Sequence, residues 1–406
     1  MKVGIGFNNE EDAKTSGLKI ASQAVETGGI KNASFALAFC SSSVNAKELL
    51  CGIREVLGDS TPVLGGSCAG IITNSVISYE NYPAGIVVIE DNDIQLQFAS
   101  ASGLDKDGRQ TGRDLAGLFS FKDGDTLLFF YDSLKTPQGV NTPPVINSSK
   151  PLIQGMEDII DNDVLIIGGG LVGDYNLSSS IQFTGNSVQT QNAAALLLRG
   201  DIQADWKIMH GCTPKDGLYY TITKIEGPVI YELDNRPVVE VINEMYGNED
   251  WQKQTPVKRL AIGKNHGEKY GLDFIEENYV TRLILGILPD KSGIVLFETD
   301  FEAGEEILFM LRDTKTIIDS ARTNTENIFR EIKEKGKTPR WGFYIDCAGR
   351  REASSEAATD EAAEVQSVFN AGNVPLFGFY SGVEIAPFVK KTRGLDWTGV
   401  LIMFSQ

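Results

Sequence analysis

A chain of 406 residues with 42% hydrophobic content is long enough for more than one core and too apolar for a disordered polymer. Its 37 basic and 55 acidic residues leave a formal net charge of −18, which repels phosphate backbones and anionic lipid heads and argues against nucleic acid or a membrane surface as the main partner. The five cysteines form no CxxC pair, so neither a disulfide framework nor a zinc site is expected, and a reducing cytoplasm fits.

The opening stretch Met1 to Phe7 is too short in its apolar part for a signal peptide, and acidic residues follow closely. No apolar run approaches the roughly 20 residues that span a bilayer. The first clear pattern is an apolar run Phe35 to Cys40, a helical period Ala46 to Leu57, and a second apolar run Thr61 to Ser67 that ends in Gly65-Gly66-Ser67. Short β-rich runs around a helical period predict a right-handed βαβ crossover between parallel strands. Ala84 to Glu90 and Ile94 to Ser102 follow, and the polar turn Asp91-Asn92-Asp93 between them predicts a β-hairpin.

The same order then recurs. Thr126 to Tyr131, a helical stretch Pro151 to Ile160 and Val164 to Gly170 form a second βαβ unit, with a loop Lys135 to Lys150 that holds Pro137, Pro143 and Pro144. Ala193 to Arg199 and Ile202 to Met209 predict a second hairpin, and Tyr219 to Lys224 with Val229 to Leu233 a third, around Glu226-Gly227-Pro228. Asn235 to Glu277 carries no clear period. Tyr279 to Leu288, Gly293 to Glu298 and Glu306 to Met310 are strand-like. Thr314 to Lys333 is a helix by the spacing of Ile317, Ile318, Ala321 and Ile328. Trp341 to Cys347, a helical stretch Ala357 to Phe369, and Val374 to Phe379 make a third βαβ unit. The expected fold is mixed α/β, with internally repeated βαβ units, hairpins, mixed parallel and antiparallel sheets and outer helices. Two tandem domains are expected, 1–228 with two units and 229–406 with the third.

The loops leaving the second strands carry the candidate chemistry. Gly65-Gly66-Ser67-Cys68-Ala69-Gly70 admits a nucleotide cradle, a nucleophile elbow or a packing turn. It lacks the Lys-Ser/Thr of a P-loop, and the GxSxG pattern fails at Ala69. Gly168-Gly169-Gly170 and Gly378 stand at the same place in their units, so the loops are expected to gather around one pocket. Gly66, Ser67, Cys68, Gly169 and Gly170 are therefore candidate ligand contacts. In the third unit Cys347 and Arg350 end one strand, while Tyr380, Ser381 and Glu384 end the other. Ligands of open α/β sheets bind at such strand ends, and an arginine there suits a carboxylate or phosphate. Arg350 and Arg351 are adjacent, and one of them is expected to pair with Glu352 or Glu356. The only histidines are His210 and His266. Either could serve Cys68, Cys212 or Cys347 as a base, or hold a haem, but each reads more simply as a structural residue. No spacing supports metal catalysis, and no catalytic constellation emerges.

Gly342 to Arg350, followed by Val374 to Tyr380 and Glu384-Ile385-Ala386-Pro387, resembles the C-terminal FIST domain with its Cys-x-Gly-Arg signature. Pro62 to Gly70 is similar to the glycine-rich core of the N-terminal FIST domain. His210 to Pro214, Thr221 to Lys224 and Tyr231 to Asp234 resemble the junction between the two. Val383 stands where the family tends to have glycine before Glu384, a departure at one ligand-contact candidate. The resemblance implies a sensory domain for amino acids or related metabolites. It implies coupling to kinases, chemotaxis transducers or cyclic-dinucleotide enzymes, and in one branch haem binding with nitric oxide sensing. Both FIST halves account for the chain, so an output through a partner in trans is expected, and no enzyme activity.

Overall fold

The computed structural model describes residues 1–137, 145–271, 273–298, 300–351 and 359–406. The expected mixed α/β architecture is present, with helices outside the sheets. Pro143, Pro144, Glu352, Glu356 and the start of the helical stretch at Ala357 lie outside the described residues.

Three six-stranded sheets share one strand order. In the first it runs Lys2–Asn8, Ala84–Glu90, Phe35–Cys40, Val63–Ser67, Gln182–Thr184, Ser187–Gln189. In the second it runs Gln95–Ser102, Asn192–Arg199, Thr126–Asp132, Leu165–Leu171, Val383–Phe388, Lys391–Leu395. In the third it runs Gln203–Met209, Gly399–Ser405, Pro339–Cys347, Leu376–Ser381, Ile71–Thr73, Ile77–Ser78. The middle two strands of each are the parallel pair of a βαβ unit. The last two are guests, a hairpin sent over by another unit. The first unit sends its hairpin to the third sheet, the third to the second, and the second to the first, so the three units are tied in a ring.

This exchange corrects two expected hairpins. Ala84–Glu90 pairs with Lys2–Asn8 and Phe35–Cys40, while Gln95–Ser102 pairs with Asn192–Arg199. Likewise Gln203–Met209 leaves its predecessor to pair with Gly399–Ser405. The short polar turns are real, but they are corners between sheets. Both edges of Ala84–Glu90 are already taken, and the strand is buried along its whole length, which leaves no edge for the following strand.

Local chemistry explains the helices. Ala46–Leu57 starts where the Asn45 side chain accepts from the N–H groups of Lys47 and Glu48, and it stops at Gly58 with φ 73°. Its buried face is Leu49, Leu50 and Ile53. Thr314–Glu334 starts at Asp313, which caps Lys315 and Thr316 in the same way. Helices Ala13–Gly28 and Gly108–Ala116 lie ahead of the parallel pairs and have no counterpart in the periods read from the sequence.

The inner faces of the three sheets meet in one aromatic core. Phe39 stacks on Phe379 at 3.9 Å between ring centres, and Phe130 meets both edge-on at 5.2 and 5.7 Å. The first glycine of each loop is a packing residue. A Cβ at Gly65, Gly168 or Gly378 would stand 2.1, 1.7 or 2.3 Å from the carbonyl oxygen of Ala38, Phe129 or Tyr344 on the neighbouring parallel strand.

Residues between Cys212 and Arg312 form a seven-stranded antiparallel sheet inserted into the third unit. Its first strand, Cys212–Glu226, pairs at one end with Glu306–Arg312 and at the other with Val229–Leu233, so the sheet closes on itself. Trp251 and the helix Val238–Tyr246 pack against the interior. Position 228/229, read as a domain boundary, lies in the turn between two paired strands of this sheet. No described helix is long and apolar enough to cross a membrane.

Candidate ligand site at the rim of the three units

The residues singled out in the sequence lie at the carboxyl ends of the parallel strands, and most face inward. Ser67 Oγ accepts from the N–H of Ile181 at 2.9 Å and is fully buried. Cys68 Sγ donates to the Gly70 carbonyl at 3.2 Å. A Cβ on Gly66 would meet the Ile181 carbonyl at 2.2 Å, and one on Gly169 would meet the Val383 carbonyl at 2.9 Å. Gly170 accepts from the Gly382 N–H at 2.9 Å. These groups close the seams between units.

The third unit collects the charge. Strand Pro339–Cys347 runs into a single 3-10 turn, Ala348–Arg350. Arg350 is 1% exposed. Its Nε donates to Glu361 Oε1 at 2.7 Å, its Nη2 makes a 2.5 Å ion-pair contact with Oε2, its guanidinium lies 3.4 Å from Asp346, and it donates to the carbonyls of His210 and Trp397 at 3.0 and 2.6 Å. Glu361, which precedes helix Ala362–Gly372, also accepts from Tyr344 Oη at 2.8 Å. Glu384 is fully buried, accepting from Ser381 Oγ at 2.6 Å and the Thr398 N–H at 3.3 Å, and burial pushes its carboxyl well above the usual range. The expected anchor, Arg350, is thus consumed by internal partners.

Its neighbour is not. Arg351 sits with its guanidinium carbon 4.0 Å from the ring centre of Tyr175 and 4.8 Å from that of Tyr79. Tyr79 follows the guest strand Ile77–Ser78 of the first unit, and Tyr175 follows strand Leu165–Leu171 of the second. All three units therefore contribute to one cationic clamp. Among the described residues no carboxylate pairs with Arg351, and its Nε is buried without a hydrogen-bond partner. Tyr175 is 42% exposed, and Arg351 is half-buried. Tyr380 packs edge-on beneath Tyr79 at 6.1 Å, and Gly70 allows this because a Cβ there would stand 2.8 Å from Tyr79 and 2.9 Å from Tyr380. The guanidinium thus lies against two tyrosine rings, with its Nε buried and the residue as a whole half-buried.

Among the described residues no cysteine stands ready as a nucleophile at the rim. Burial pushes the Cys40 thiol up to about 12 and Cys212 to about 11, and raises Cys68 and Cys347 well above the usual value. His210 Nδ1 accepts from the Cys212 N–H at 2.9 Å, so Nε2 carries the proton and donates to the Glu276 carbonyl at 3.0 Å. Both ring nitrogens are engaged by backbone, which fits neither a haem ligand nor a base. Burial lowers the pKa of His266, whose backbone N–H donates to the Asn278 carbonyl at 2.8 Å at the end of an inserted-sheet strand. Among the described residues no group of three or more His, Cys, Asp or Glu has metal-binding geometry.

The sequence marked the turn and its arginine pair and favoured Arg350 as the anchor, which the structure buries among internal partners, and it passed over Tyr79, Tyr175 and Glu361. The adjacent arginines at a strand end were the available signal. The tyrosines gave none, because their meeting depends on the exchange of hairpins.

Fold and site together define a mixed α/β protein of three interlocked units whose common rim sets an arginine against two tyrosine rings. The chain belongs to the FIST family: the FIST N domain matches residues 34–236 and the FIST C domain residues 239–387. FIST domains are sensory, ligand-binding domains of signal transduction. The chain is also similar to an uncharacterized protein of Methanocaldococcus jannaschii, 21% identical over 258 residues, covering 60% of this chain and 46% of the relative. It thus spans about half the length of the curated relative it matches. Among solved structures it is similar to cyanuric acid hydrolase from A. caulinodans, with 10% identity, a TM-score of 0.36 and coverage of 99% and 98% of the two chains. It is similar to a chorismatase with 11% identity, a TM-score of 0.32 and full coverage of both. At those scores neither likeness bears on function.

Proposed function

We propose that the chain is a cytoplasmic, non-enzymatic sensor that binds an amino acid or a related carboxylate metabolite and acts in trans on a signalling protein such as a kinase, chemotaxis transducer or cyclic-dinucleotide enzyme. One observation carries the reading: Arg351, held between tyrosines from two other units, with no carboxylate partner among the described residues. A carboxylate on this guanidinium would bridge all three units, so ligation and the relative setting of the units become one event. The buried thiols and the doubly engaged His210 favour binding over catalysis.

The test is a thermal-shift panel of amino acids and small carboxylic acids on the wild type and on Arg351→Ala, with native mass spectrometry of any co-purified ligand. At least one carboxylate should raise the wild-type Tm and leave the variant unmoved. A shift that persists undiminished in Arg351→Ala, or a panel without effect on ligand-free wild type, overturns the reading.

A further inference from the structure

The shared strand order lets one seam be inspected three times. It lies at the opposite end of the sheets from Arg351, where a guest hairpin turn meets the helix end that precedes the second parallel strand. In the first sheet Arg54 latches it, donating to Thr61 on its own side and to Gly185 of the guest turn. In the third sheet two amides do the same: Asn74 of the guest turn donates to Asn370 Oδ1 at 3.0 Å, and Asn370 Nδ2 returns a bond to the Asn74 carbonyl at 2.9 Å.

In the second sheet the helix is Ser149–Glu157, and Glu157 occupies the latch region. Among the described residues nothing hydrogen-bonds or ion-pairs with its side chain. The guest turn here is Val389-Lys390, both left-handed at φ 49° and 62°, followed by Lys391. Lys390 and Lys391 are exposed, and neither has an ion-pair partner among the described residues. Between Glu157 and the lysines opens a cavity of about 840 Å³. Its counterpart at the Asn74–Asn370 seam measures about 480 Å³, and no charged side chain lines it. Trp206 walls the larger cavity beside Ile202 and Val389, its ring fixed by a 2.9 Å bond from Nε1 to the Pro387 carbonyl. Partial burial raises the pKa of Glu157, while Lys391 and Arg393 pull it back. A latch has been replaced here by opposite unpaired charges above an apolar wall.

We propose that this seam is a second ligand site, for a small amphipathic zwitterion whose ammonium group meets Glu157, whose carboxylate meets Lys390 and Lys391, and whose apolar body lies on Trp206, Ile202 and Val389. The site is independent of the Arg351 clamp, so each can fail alone.

The test is calorimetric titration of the full chain carrying Arg351→Ala, which removes the rim anchor. The probes are L-leucine, isocaproate, which lacks the ammonium group, and isopentylamine, which lacks the carboxylate. L-leucine should bind roughly tenfold more tightly than either analogue, the usual scale for one charge-assisted contact. Glu157→Gln should weaken L-leucine roughly tenfold and leave isocaproate unchanged. Lys390→Ala with Lys391→Ala should weaken L-leucine and leave isopentylamine unchanged. All these substitutions sit on half-buried or exposed positions, and circular dichroism confirms the fold of each. No heat with L-leucine, an affinity unchanged by either variant, or sensitivity to the lysines alone overturns the proposal.

Discussion

Arg350 and Arg351 are neighbours in sequence and occupy opposite kinds of environment. Behind the turn lies a buried ionic layer, where Arg350, Asp346 and Glu361 are sealed in with Tyr344. In front lies the rim, where Arg351 is half-buried and lies against the rings of Tyr79 and Tyr175. The difference is that the buried arginine fixes the backbone from which the outer one is presented. Arg350 ties the turn to His210 and Trp397, and Arg312 of the inserted sheet adds a bond to the Gly349 carbonyl at 3.1 Å. The Cys-x-Gly-Arg signature thus describes a scaffold, and the position after it is the contact in the proposed reading.

The strongest way to break the comparison is to remove the inner arginine. Arg350→Ala leaves Glu361 and Asp346 buried without their cation. Breaking a buried pair from one side costs about 3–5 kcal/mol, so urea unfolding should show a loss on that scale. A loss below about 1 kcal/mol would mean that the layer relaxes or admits water, and the scaffold role would fall.

A second probe uses pH. Asp396, in the same buried region beside Trp397, accepts from the Leu283 N–H at 3.1 Å. Burial first, with Glu298 adding, pushes its carboxyl from 3.8 up to about 7 against the pull of Arg282. The folded state therefore holds a proton that the unfolded chain releases near 3.8. The stability this gives is complete below pH 4 and is lost as pH rises through 7. Asp396→Asn keeps an acceptor for Leu283 and cannot ionise. Its stability relative to wild type should climb by up to about 4 kcal/mol between pH 4 and 8. Parallel curves for the two proteins over that window would show that Asp396 is not the group that titrates.

How much of this was legible beforehand follows from the range of the interactions. Ala46–Leu57 was readable to its ends, because Asn45, the apolar face and Gly58 are all local. The parallel pairs were readable for the same reason. The course of Gln95–Ser102 after its turn was not, since its partner Asn192–Arg199 lies about a hundred residues on and a local turn motif cannot tell a hairpin from a corner. The recurring glycines were visible as a pattern, but their cause, a carbonyl oxygen of the adjacent strand under 2.5 Å from a Cβ, needs three dimensions. Helix Val238–Tyr246 was hidden in a stretch of mixed charge, its apolar face set by the closed sheet of the insertion. At the site, Arg350 drew attention because arginine at a strand end suits an anion. Its neutralisation comes from Glu361, eleven residues away inside the stretch Ala357 to Phe369, where a helical period marks a face but not which charge turns back to the strand end.

The smallest expected effect is the one that sharpens the contrast most. Arg351→Ala removes a cation that has no carboxylate partner among the described residues, so no buried counter-charge is stranded. What it loses is contact with the rings of Tyr79 and Tyr175, about 1 kcal/mol at this half-buried position, partly offset by the side-chain entropy regained. Urea unfolding should therefore place Arg351→Ala within about 1 kcal/mol of wild type, at least threefold less than Arg350→Ala. The ranking matters more than either value. Two arginines on consecutive residues, removed by the same substitution, would separate the scaffold from the contact if one change unfolds the protein and the other silences only its response to carboxylates. Equal losses would place both side chains in a single buried network and remove Arg351 from the surface on which the sensory reading depends.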